Sequence, residues 1–360
     1  MTDQTNHHRF IDVAKGLGIL FIVLGHVVPN AWMNQILYSF HVPLFFILSG
    51  FTYQCKSDKK RFYVSKGKRL LIPYFVFAVI SIVIFFVMAK IVHISEDARI
   101  LPNLAGMLYG NSNTGYMMWN RPLWFLPCLF CSFVFLDSFE TVIRNLPSGK
   151  KNLFRLGFIL GMWALGLILN CCLVEWNLPF HLESAVFLVG FSEVGVLLSW
   201  IVKQCAITET IHKENRIPAL LGAVALLVIG LGLCWANGSV DIRSHHFGKI
   251  PVLLPCIAVC FCGATIWLSM ILEKSRVLAL LGASSLAIML MHKFPILFFQ
   301  MIVPFTRDCL KAADTAKGTA CGIAVAMISA MLCLVAEKII VLIFPACVGK
   351  TQVRKNAKGT

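Results

Sequence analysis

Long apolar segments separated by short polar connections are the feature that most constrains how this sequence can fold. Ten of them come close to, or exceed, the roughly 20 mostly apolar residues that a helix needs to cross a bilayer. Only 14% of the residues are charged, whereas a typical soluble domain carries about 25%. The sequence therefore predicts an all-α integral membrane protein, a multi-pass bundle of about ten transmembrane helices in a lipid bilayer. The predicted spans are residues 11–30, 35–54, 71–92, 122–142, 153–173, 182–202, 217–236, 251–272, 278–303 and 319–344.

The positions of the Lys and Arg residues predict how this bundle is oriented. The chain has a formal net charge of +15, and its basic residues are concentrated in alternate connections, with the largest group in 56–69. Because cytoplasmic connections of membrane proteins carry an excess of Lys and Arg, the pattern predicts that both termini are cytoplasmic. Topology accounts for the positive charge, so we expect no nucleic-acid partner.

Neither the cysteines nor the connections indicate a second functional unit. Most of the 14 cysteines lie inside apolar segments, where a thiol acts as a small hydrophobic group. None has the spacing of metal ligands, so no metal site is expected. Internal repeats and interdomain linkers are not evident, so we predict a single transmembrane domain over residues 1–360 with no extra soluble domain. The sequence does not indicate an oligomeric state.

The first apolar segment has charged residues at one end and a histidine at the other. Arg9, Asp12 and Lys15 are spaced by three residues, which in a helix gathers them within about two turns. His26 follows Lys15 at a distance of about 16 Å along a helix axis. Ionisable groups inside a membrane are costly and tend to be functional, so this arrangement predicts a binding site that crosses the bilayer. Glu193, in the middle of the sixth span, needs a partner that the sequence does not identify.

Two layers of ionisable residues follow from the predicted topology. Arg9, Lys15 and Arg69 lie in the cytoplasmic layer, where they could together hold a polyanion such as the phosphates of a nucleotide-like cofactor. In the outer half, three histidines from three spans reach a similar depth. A lone buried histidine is more often a packing residue, but three at one depth favour a catalytic site, since histidine is the usual general base at neutral pH. The outer layer consists of His26, His41, His292, Glu183 and Trp124.

Five short blocks of polar, aromatic and glycine residues interrupt the apolar segments. They are Arg9-x-x-Asp12-x-x-Lys15-Gly16 with His26; Phe40-His41-x-Pro43-Leu44-Phe45-Phe46-x-x-Ser49-Gly50-Phe51; Lys68-Arg69-Leu70-Leu71-Ile72-Pro73-Tyr74; Pro122-Leu123-Trp124-Phe125-Leu126; and Gly282-x-Ser284-Ser285-x-x-Ile288-x-x-Met291-His292-x-x-Pro295. In this order they resemble the acyltransferase-3 family of integral membrane O-acyltransferases, in particular the branch of fucose 4-O-acetylase-like sugar acetyltransferases. The resemblance covers most of the chain.

The resemblance implies a membrane enzyme that transfers an acyl group, usually acetyl from acetyl-CoA, to a hydroxyl of a sugar or another cell-envelope acceptor such as a polysaccharide or glycolipid. In that family a basic residue and a histidine with the spacing of Lys15 and His26 are linked to activity. Many members have arginine where this chain has Lys15. The resemblance also implies a location in the bacterial inner membrane.

Together with the two layers, the resemblance gives each candidate residue an expected role. Arg9, Lys15 and Arg69 are expected to bind the anionic nucleotide end of acetyl-CoA, which is the acyl-donor substrate. His26 is expected to take the proton of the acceptor hydroxyl, or to form an acyl-histidine, with His41 supporting or orienting it. The residues expected to bind the sugar or glycan acceptor are Trp124, Glu183 and His292.

Two other classes of protein also fit these features. Buried histidines and charges suit the proton relay of a secondary transporter or of a flippase for a lipid-linked saccharide. Transporters of that kind often show two related halves, which this sequence lacks. A structural or partner-binding membrane protein that keeps the motif residues without activity is the second alternative.

Overall fold

Helices are the only regular secondary structure in residues 9–91, 100–110, 112, 116–172, 178–204 and 217–350, which are the residues that the computed structural model describes. Both ends of the predicted 1–360 domain lie outside these ranges. The described α-helices are α1 (Arg9–Gly25), α2 (Ala31–Phe51), α3 (Lys59–Ile91), α4 (Ile100–Tyr109), α5 (Phe125–Arg144), α6 (Ser148–Cys172), α7 (Leu182–Gln204), α8 (Ile217–Asn237), α9 (Leu254–Ile271), α10 (Arg276–Ala283), α11 (Ser285–Met291), α12 (Lys293–Met301), α13 (Pro304–Lys311) and α14 (Ala316–Ile343). Short 3-10 helices occupy Met118–Trp124, Pro179–His181, Ile242–Ser244, Pro251–Leu253 and Pro345–Val348.

Eight of the described helices are long and apolar enough to cross a membrane. A ninth crossing is a broken span, in which Arg276–Ala283 and Ser285–Met301 are bent by 63°. Each of the ten predicted segments coincides with a helix, but α1 has only 17 residues. That is about 26 Å, which is less than the roughly 30 Å of a hydrocarbon core. The all-α, multi-pass membrane architecture is therefore confirmed, while the count of ten stays a prediction.

The connection between the first two helices differs from the predicted one. The side chain of Asn30 accepts a hydrogen bond from the Met33 backbone N–H at 2.9 Å, so α2 begins at Ala31 and not at residue 35. Helix α1 ends at Gly25 and not near residue 30. His26 consequently lies in the turn between α1 and α2.

Helix α1 lies at the centre of the bundle and contacts α2, α9, α10, α11 and α14. Its closest neighbour is α10. A Cβ atom added to Gly16 would clash with the carbonyl of Leu278, and one added to Gly282 would clash with the carbonyl of Asp12. Small residues allow membrane helices to approach this closely. The contact fixes the charged end of α1 against the first half of the broken span.

Helices at the periphery present apolar side chains on their outer surface. Only 11% of the apolar stretch of α6 and 22% of that of α8 is buried inside the bundle, against 67% for the stretch that contains α7. Leu153 on α6, and Leu221 and Trp235 on α8, are among the exposed large apolar side chains. A continuous apolar surface of this kind is stable in lipid and not in water, so these helices face the bilayer.

A buried ion network joins the helices next to the central pair. Arg155 of α6 donates to Glu140 of α5, with Nη2–Oε2 at 3.1 Å, and also to Glu193 of α7 through Nη1. Glu193 is fully buried, and Arg155 is the partner that the sequence does not identify. Because an unpaired carboxylate at this depth would be costly, the network fixes α6 against α5 and α7.

The first and last described segments lie at the same end of the bundle. Pro345–Val348 packs against α3, and Gly349 lies beside the backbone of Arg69. Lys350 Nζ pairs with Glu337 Oε1 of α14 at 2.8 Å. Arg69 in turn lines the same cavity as Lys15 of α1. This arrangement places both ends of the described chain on one side, whereas the cytoplasmic identity of that side stays a prediction.

Candidate active site

One cavity lies beside the turn that follows α1, and we call it the histidine cavity. It has a volume of about 380 Å³. Helix α2, the 3-10 helix Met118–Trp124, the connection between α8 and α9, and the start of α12 complete its wall. Its ionisable and hydroxyl-bearing lining residues are His26, Tyr38, His41, Arg121, Asp241, Arg243 and Lys293.

A second cavity, here called the lysine cavity, lies beside the charged end of α1 and has a volume of about 340 Å³. Lys15, Lys66 and Arg69 line it together with a single carboxylate, Asp12. Lys15 Nζ lies 3.7 Å from Asp12 Oδ1, as expected for a structural ion pair. The ammonium of Lys66 lies 3.6 Å from the centre of the Phe133 ring, a cation–π contact that holds it at the cavity wall. The lining therefore carries an excess of positive charge.

The two cavities adjoin inside the bundle. Ile22, Phe125 and Met289 line both of them, so the spaces meet at these three side chains. Ile22 lies on α1 between Lys15 and His26 and therefore separates a cationic site from a histidine site along one helix. The predicted site that extends from the charged end of α1 to its histidine corresponds to this pair of cavities.

His26 lines the histidine cavity one helical turn after the junction residue Ile22. Its backbone N–H donates to the carbonyl of Ile22 at 3.2 Å. Its Nδ1 lies 3.2 Å from the hydroxyl oxygen of Tyr38, and its ring stacks on that of His292, with centroids 5.3 Å apart. When Nδ1 donates its hydrogen to Tyr38, the lone pair on Nε2 remains available as a base. Tyr38 and His292 thus restrict the orientation of the imidazole.

His41 has its tautomer set by the backbone of its own helix. Its Nδ1 lies 2.5 Å from the carbonyl oxygen of Leu37. A nitrogen this close to a carbonyl oxygen must carry the hydrogen, so Nε2 is the basic nitrogen. The ring of His41 packs edge-on against Tyr38 with centroids 5.0 Å apart. Tyr38 therefore contacts both histidines that line the cavity.

His292 supports the wall behind His26. It is fully buried and is not among the residues that line the histidine cavity. Its Nδ1 donates to the carbonyl oxygens of Ile288 and Met289, at 3.0 and 2.9 Å. Its Nε2 has no hydrogen-bond partner among the described residues. The sequence predicts that His292 binds the acceptor. In the structure His292 lies behind the ring of His26 and does not line the cavity.

Trp124 lines the histidine cavity as expected, but Glu183 does not. The ring of His181 lies 5.0 Å from that of Trp124, and His181 Nδ1 lies 3.3 Å from Glu183 Oε1. Glu183 is fully buried, and its Oε2 accepts a hydrogen bond from the Leu178 backbone N–H at 3.0 Å. Glu183 therefore lies behind Trp124, because its side chain is directed toward the segment just before α7 and away from the cavity.

His181, Glu183 and His245 form a buried group whose ligand atoms lie within 4.8 Å of one another, a spacing that a divalent metal ion could use. His245 Nε2 is 3.2 Å from Glu183 Oε1. Metal-bound histidines normally donate their second ring N–H to a partner. In the described part of the chain, His181 Nε2 and His245 Nδ1 have no such partner. His245 is thus hydrogen-bonded to Glu183, whereas neither ring nitrogen of His181 has a hydrogen-bond partner among the described residues, and the absence of a metal site stays a prediction.

Arg9 is the predicted donor-binding residue that the structure does not bring to a cavity. Its side chain is exposed, does not line the lysine cavity, and approaches the carbonyl of Lys274 with Nη2–O at 3.4 Å. The two other predicted residues of this set, Lys15 and Arg69, do line that cavity. The difference arises because Arg9 lies in the first turn of α1, before the helix enters the bundle.

Several lining residues are absent from the set predicted for the site. Tyr38 lies three residues before His41, so helical spacing alone could have placed both on one face of α2. Lys293 directly follows His292 and was also within reach of the sequence argument. Asp241 and Arg243 lie in the connection between α8 and α9, which carries no motif, and only the tertiary fold brings them to the cavity.

The fold and the cavities define an integral membrane protein with a cationic site and a histidine site that adjoin within its bundle. A family model described as an acyltransferase domain matches residues 8–336, which is nearly the whole chain. The chain therefore belongs to the acyltransferase-3 family and is a membrane acyltransferase. Searches of curated proteins and of solved structures found no match to the chain.

Proposed function

We propose that this acyltransferase moves an acetyl group, or another short acyl group, from acyl-CoA to a hydroxyl of a sugar or cell-surface glycan. The observation that carries the proposal is the junction of the two cavities at Ile22, Phe125 and Met289. One cavity has the positive charge that the phosphates of CoA require, and the other has the histidines that can deprotonate a hydroxyl. The thioester therefore belongs at the junction.

The lysine cavity is proposed to bind the nucleotide end of acetyl-CoA. Lys15, Lys66 and Arg69 would pair with its phosphates, while the thin pantetheine arm extends toward Ile22. Arg9, which is exposed outside the cavity, is proposed only to attract the anionic donor over a distance, and this attraction should weaken as the salt concentration rises. Because acyl-CoA is cytoplasmic, the lysine cavity is proposed to face the cytoplasm, in accordance with the distribution of basic residues. Its resemblance to the sugar acetyltransferase branch of the family is the reason for proposing that the protein lies in a bacterial inner membrane.

His26 is proposed as the general base. It is the histidine that is bonded through its backbone to the junction residue Ile22. With Nδ1–H donated to Tyr38, Nε2 accepts the proton of the acceptor hydroxyl while that oxygen attacks the thioester carbonyl. The C–S bond then breaks, and the departing CoA thiolate takes the proton from the imidazolium. In the acyl-histidine variant, Nε2 attacks the thioester carbonyl and the C–S bond breaks, which releases CoA thiolate. The acceptor hydroxyl then attacks the acyl carbon, the C–Nε2 bond breaks, and the hydroxyl proton passes through Nε2 to the thiolate.

The remaining residues are proposed to hold the acceptor or to support the residues that do. His41 presents a basic Nε2 to the cavity and is proposed to orient the hydroxyl. Trp124 offers an apolar face against which a sugar ring can pack. His292 and Glu183 are proposed to act indirectly, His292 by stacking on His26 and Glu183 by holding His181 against Trp124.

CoA release by the purified protein tests this function. Detergent-solubilised protein would be mixed with labelled acetyl-CoA and a panel of sugars and glycans, and both free CoA and labelled product would be measured. We expect CoA release that depends on the acceptor, and its loss in His26→Ala. His246→Ala is the matched control, because His246 is exposed and does not line the histidine cavity.

The same assay separates the proposal from its alternatives. A transporter or flippase for a lipid-linked saccharide would move its substrate without releasing CoA, and a structural protein would do neither. Absence of CoA release with the full acceptor panel would contradict the proposal. Labelled protein formed without acceptor, and lost in His26→Ala, would identify the acyl-histidine route.

A further inference from the structure

The charged residues of the histidine cavity are unevenly distributed in sign. Three cations, Arg121, Arg243 and Lys293, line it together with one carboxylate, Asp241. These come from three separate parts of the chain, namely the segment before α5, the connection between α8 and α9, and the start of α12. Charged groups in a membrane-embedded cavity are costly unless a partner offsets them, and they commonly mark the path of a substrate. A like-charged cleft also concentrates ligands of the opposite sign.

Asp241 is already engaged with one of the three cations. Arg243 Nη2 donates to Asp241 Oδ2 at 3.1 Å, and Arg243 Nη1 donates to the carbonyl of Ser112 at 3.1 Å. An isolated antiparallel bridge between Asp241 and His246 further fixes this connection. Asp241, the one carboxylate among the described lining residues, therefore holds Arg243 in place. It does not pair with the ammonium of Lys293.

Lys293 is the clearest member of this excess. The described residues provide no ion pair or hydrogen bond for its ammonium group, although Lys293 follows the fully buried His292. A lysine in a membrane helix usually extends its ammonium group to the polar interface of the bilayer. Lys293 instead lines the same cavity as His26. Its charge therefore lies where an acceptor would be held.

We infer that the acceptor carries a negatively charged oxyanion, a carboxylate or a phosphoryl group, near the hydroxyl that is acylated. The inference rests on the proposed function and specifies its acceptor. Lys293 binds the oxyanion by charge-assisted hydrogen bonds in a cavity that Arg121 also lines, and Arg243 is held in position by Asp241. The group that accepts the acyl chain is still a hydroxyl, so His26 and the thioester react as described above.

Matched sugars separate charge recognition from recognition of the sugar ring. Glucose, galactose and mannose would each be compared with the corresponding uronic acid and the corresponding 1-phosphate as acceptors in the CoA-release assay. The carboxylate and phosphate arms identify which oxyanion is preferred. We expect at least one anionic member of each productive set to have a kcat/KM about tenfold or more above that of its neutral member. Equal kcat/KM values for neutral and anionic members would overturn the inference and leave the proposed function intact.

A second measurement does not depend on catalysis. The melting temperature of the solubilised protein would be measured with each sugar at equal ionic strength, since a ligand that binds the folded state raises it. We expect an anionic sugar to raise the melting temperature more than its neutral counterpart. This difference should be lost in Lys293→Gln, kept in Lys293→Arg, and kept in Lys311→Gln, which removes an exposed lysine outside the cavity. Its persistence in Lys293→Gln, or its absence in the unmodified protein, would overturn the inference.

The same variants distinguish binding of the acceptor from stabilisation of the reacting thioester. If Lys293 binds the oxyanion of the acceptor, Lys293→Gln lowers kcat/KM about tenfold more for the anionic sugars than for the neutral ones, chiefly through KM. An equal loss in kcat for both kinds of sugar would assign Lys293 to the developing oxyanion of the thioester and overturn the inference. CoA release that fails with every sugar, while anionic sugars still raise the melting temperature, would contradict the proposed function but not oxyanion binding.

Discussion

The rings of His26 and His292 stack with centroids 5.3 Å apart and planes inclined by 23°. Each histidine directly follows the last residue of a helix, Gly25 of α1 and Met291 of α11. The carbonyl groups of Ile288 and Met289 hold Nδ1 of His292. The stack therefore transmits the position of the broken span to the proposed catalytic base.

This relationship predicts that the shape of His292 matters more than its basicity. In His292→Ala, His26 loses the ring on which it packs, and we expect kcat to fall by about a hundredfold, since small misplacements of a reacting group have effects of this size. His292→Phe keeps a ring and should recover a large part of that loss. The check is kcat at saturating acetyl-CoA and acceptor. Equal inactivity of both variants would show that the His292 imidazole takes part in the chemistry itself.

The hydroxyl of Tyr38 is expected to orient the imidazole of His26. Tyr38→Phe removes the oxygen that lies 3.2 Å from His26 Nδ1 but keeps the ring that packs against His41. We expect kcat to fall about tenfold or more, because an unfixed imidazole is a weaker general base, with little change in the KM for acetyl-CoA. Tyr116→Phe, which alters an exposed tyrosine outside both cavities, is the control. An unchanged kcat in Tyr38→Phe would remove Tyr38 from the mechanism.

We expect the basic residues that line the lysine cavity to affect the KM for acetyl-CoA more than Arg9, which lies outside the cavity. Lys66→Met and Arg69→Met should each raise the KM for acetyl-CoA about tenfold, because each removes a charge that lines the cavity. Arg9→Met should have a small effect that disappears at high salt, since its side chain is exposed. Initial rates over a range of acetyl-CoA concentrations and ionic strengths measure these effects. A larger effect for Arg9→Met than for Lys66→Met would place the donor outside the cavity.

The ion network of α5, α6 and α7 predicts a large effect on stability. Arg155→Met leaves Glu140 and Glu193 close together without their cation, and we expect a loss of about 3–5 kcal/mol in the free energy of unfolding. Adding Glu140→Gln and Glu193→Gln to this variant should restore most of the stability. Arg144→Met is the control, because Arg144 is exposed. Thermal unfolding in detergent provides the comparison, and a stable single variant would refute the importance of the network.

The sequence predicts the helices well because the apolar segments report burial in lipid directly. It also predicts that Lys15 and Arg69 share one site and that His26 and His41 share another, since topology determines depth in the membrane. It does not predict rotation about the helix axis. Glu183 therefore has the predicted depth, but its side chain lies behind Trp124 and outside the cavity lining. The partner of Glu193 is likewise identified only when α6 is packed beside α7.

The structure of the short connections is the second feature that the sequence does not predict. Asp241 and Arg243 are hydrophilic residues of the connection between α8 and α9, and their spacing gives no indication that they line a cavity together with residues of α2. The end of α1 at Gly25 was likewise not evident, because the apolar pattern continues past it. Arg243 is held by the carbonyl of Ser112, which is distant in the sequence, and a local pattern does not contain this contact.

The passage between the two cavities is the central claim, and Ile22→Phe tests it most directly. Ile22 is buried and lines both cavities, so a larger side chain narrows their junction without removing a charge or a histidine. Leu24→Phe, on the same helix but lining neither cavity, is the control. Acetyl-CoA affinity by calorimetry and kcat would be measured for both variants. We predict that Ile22→Phe binds acetyl-CoA within about threefold of the unmodified protein and loses about a hundredfold in kcat. An unchanged kcat in Ile22→Phe would contradict a transfer that takes place through this junction.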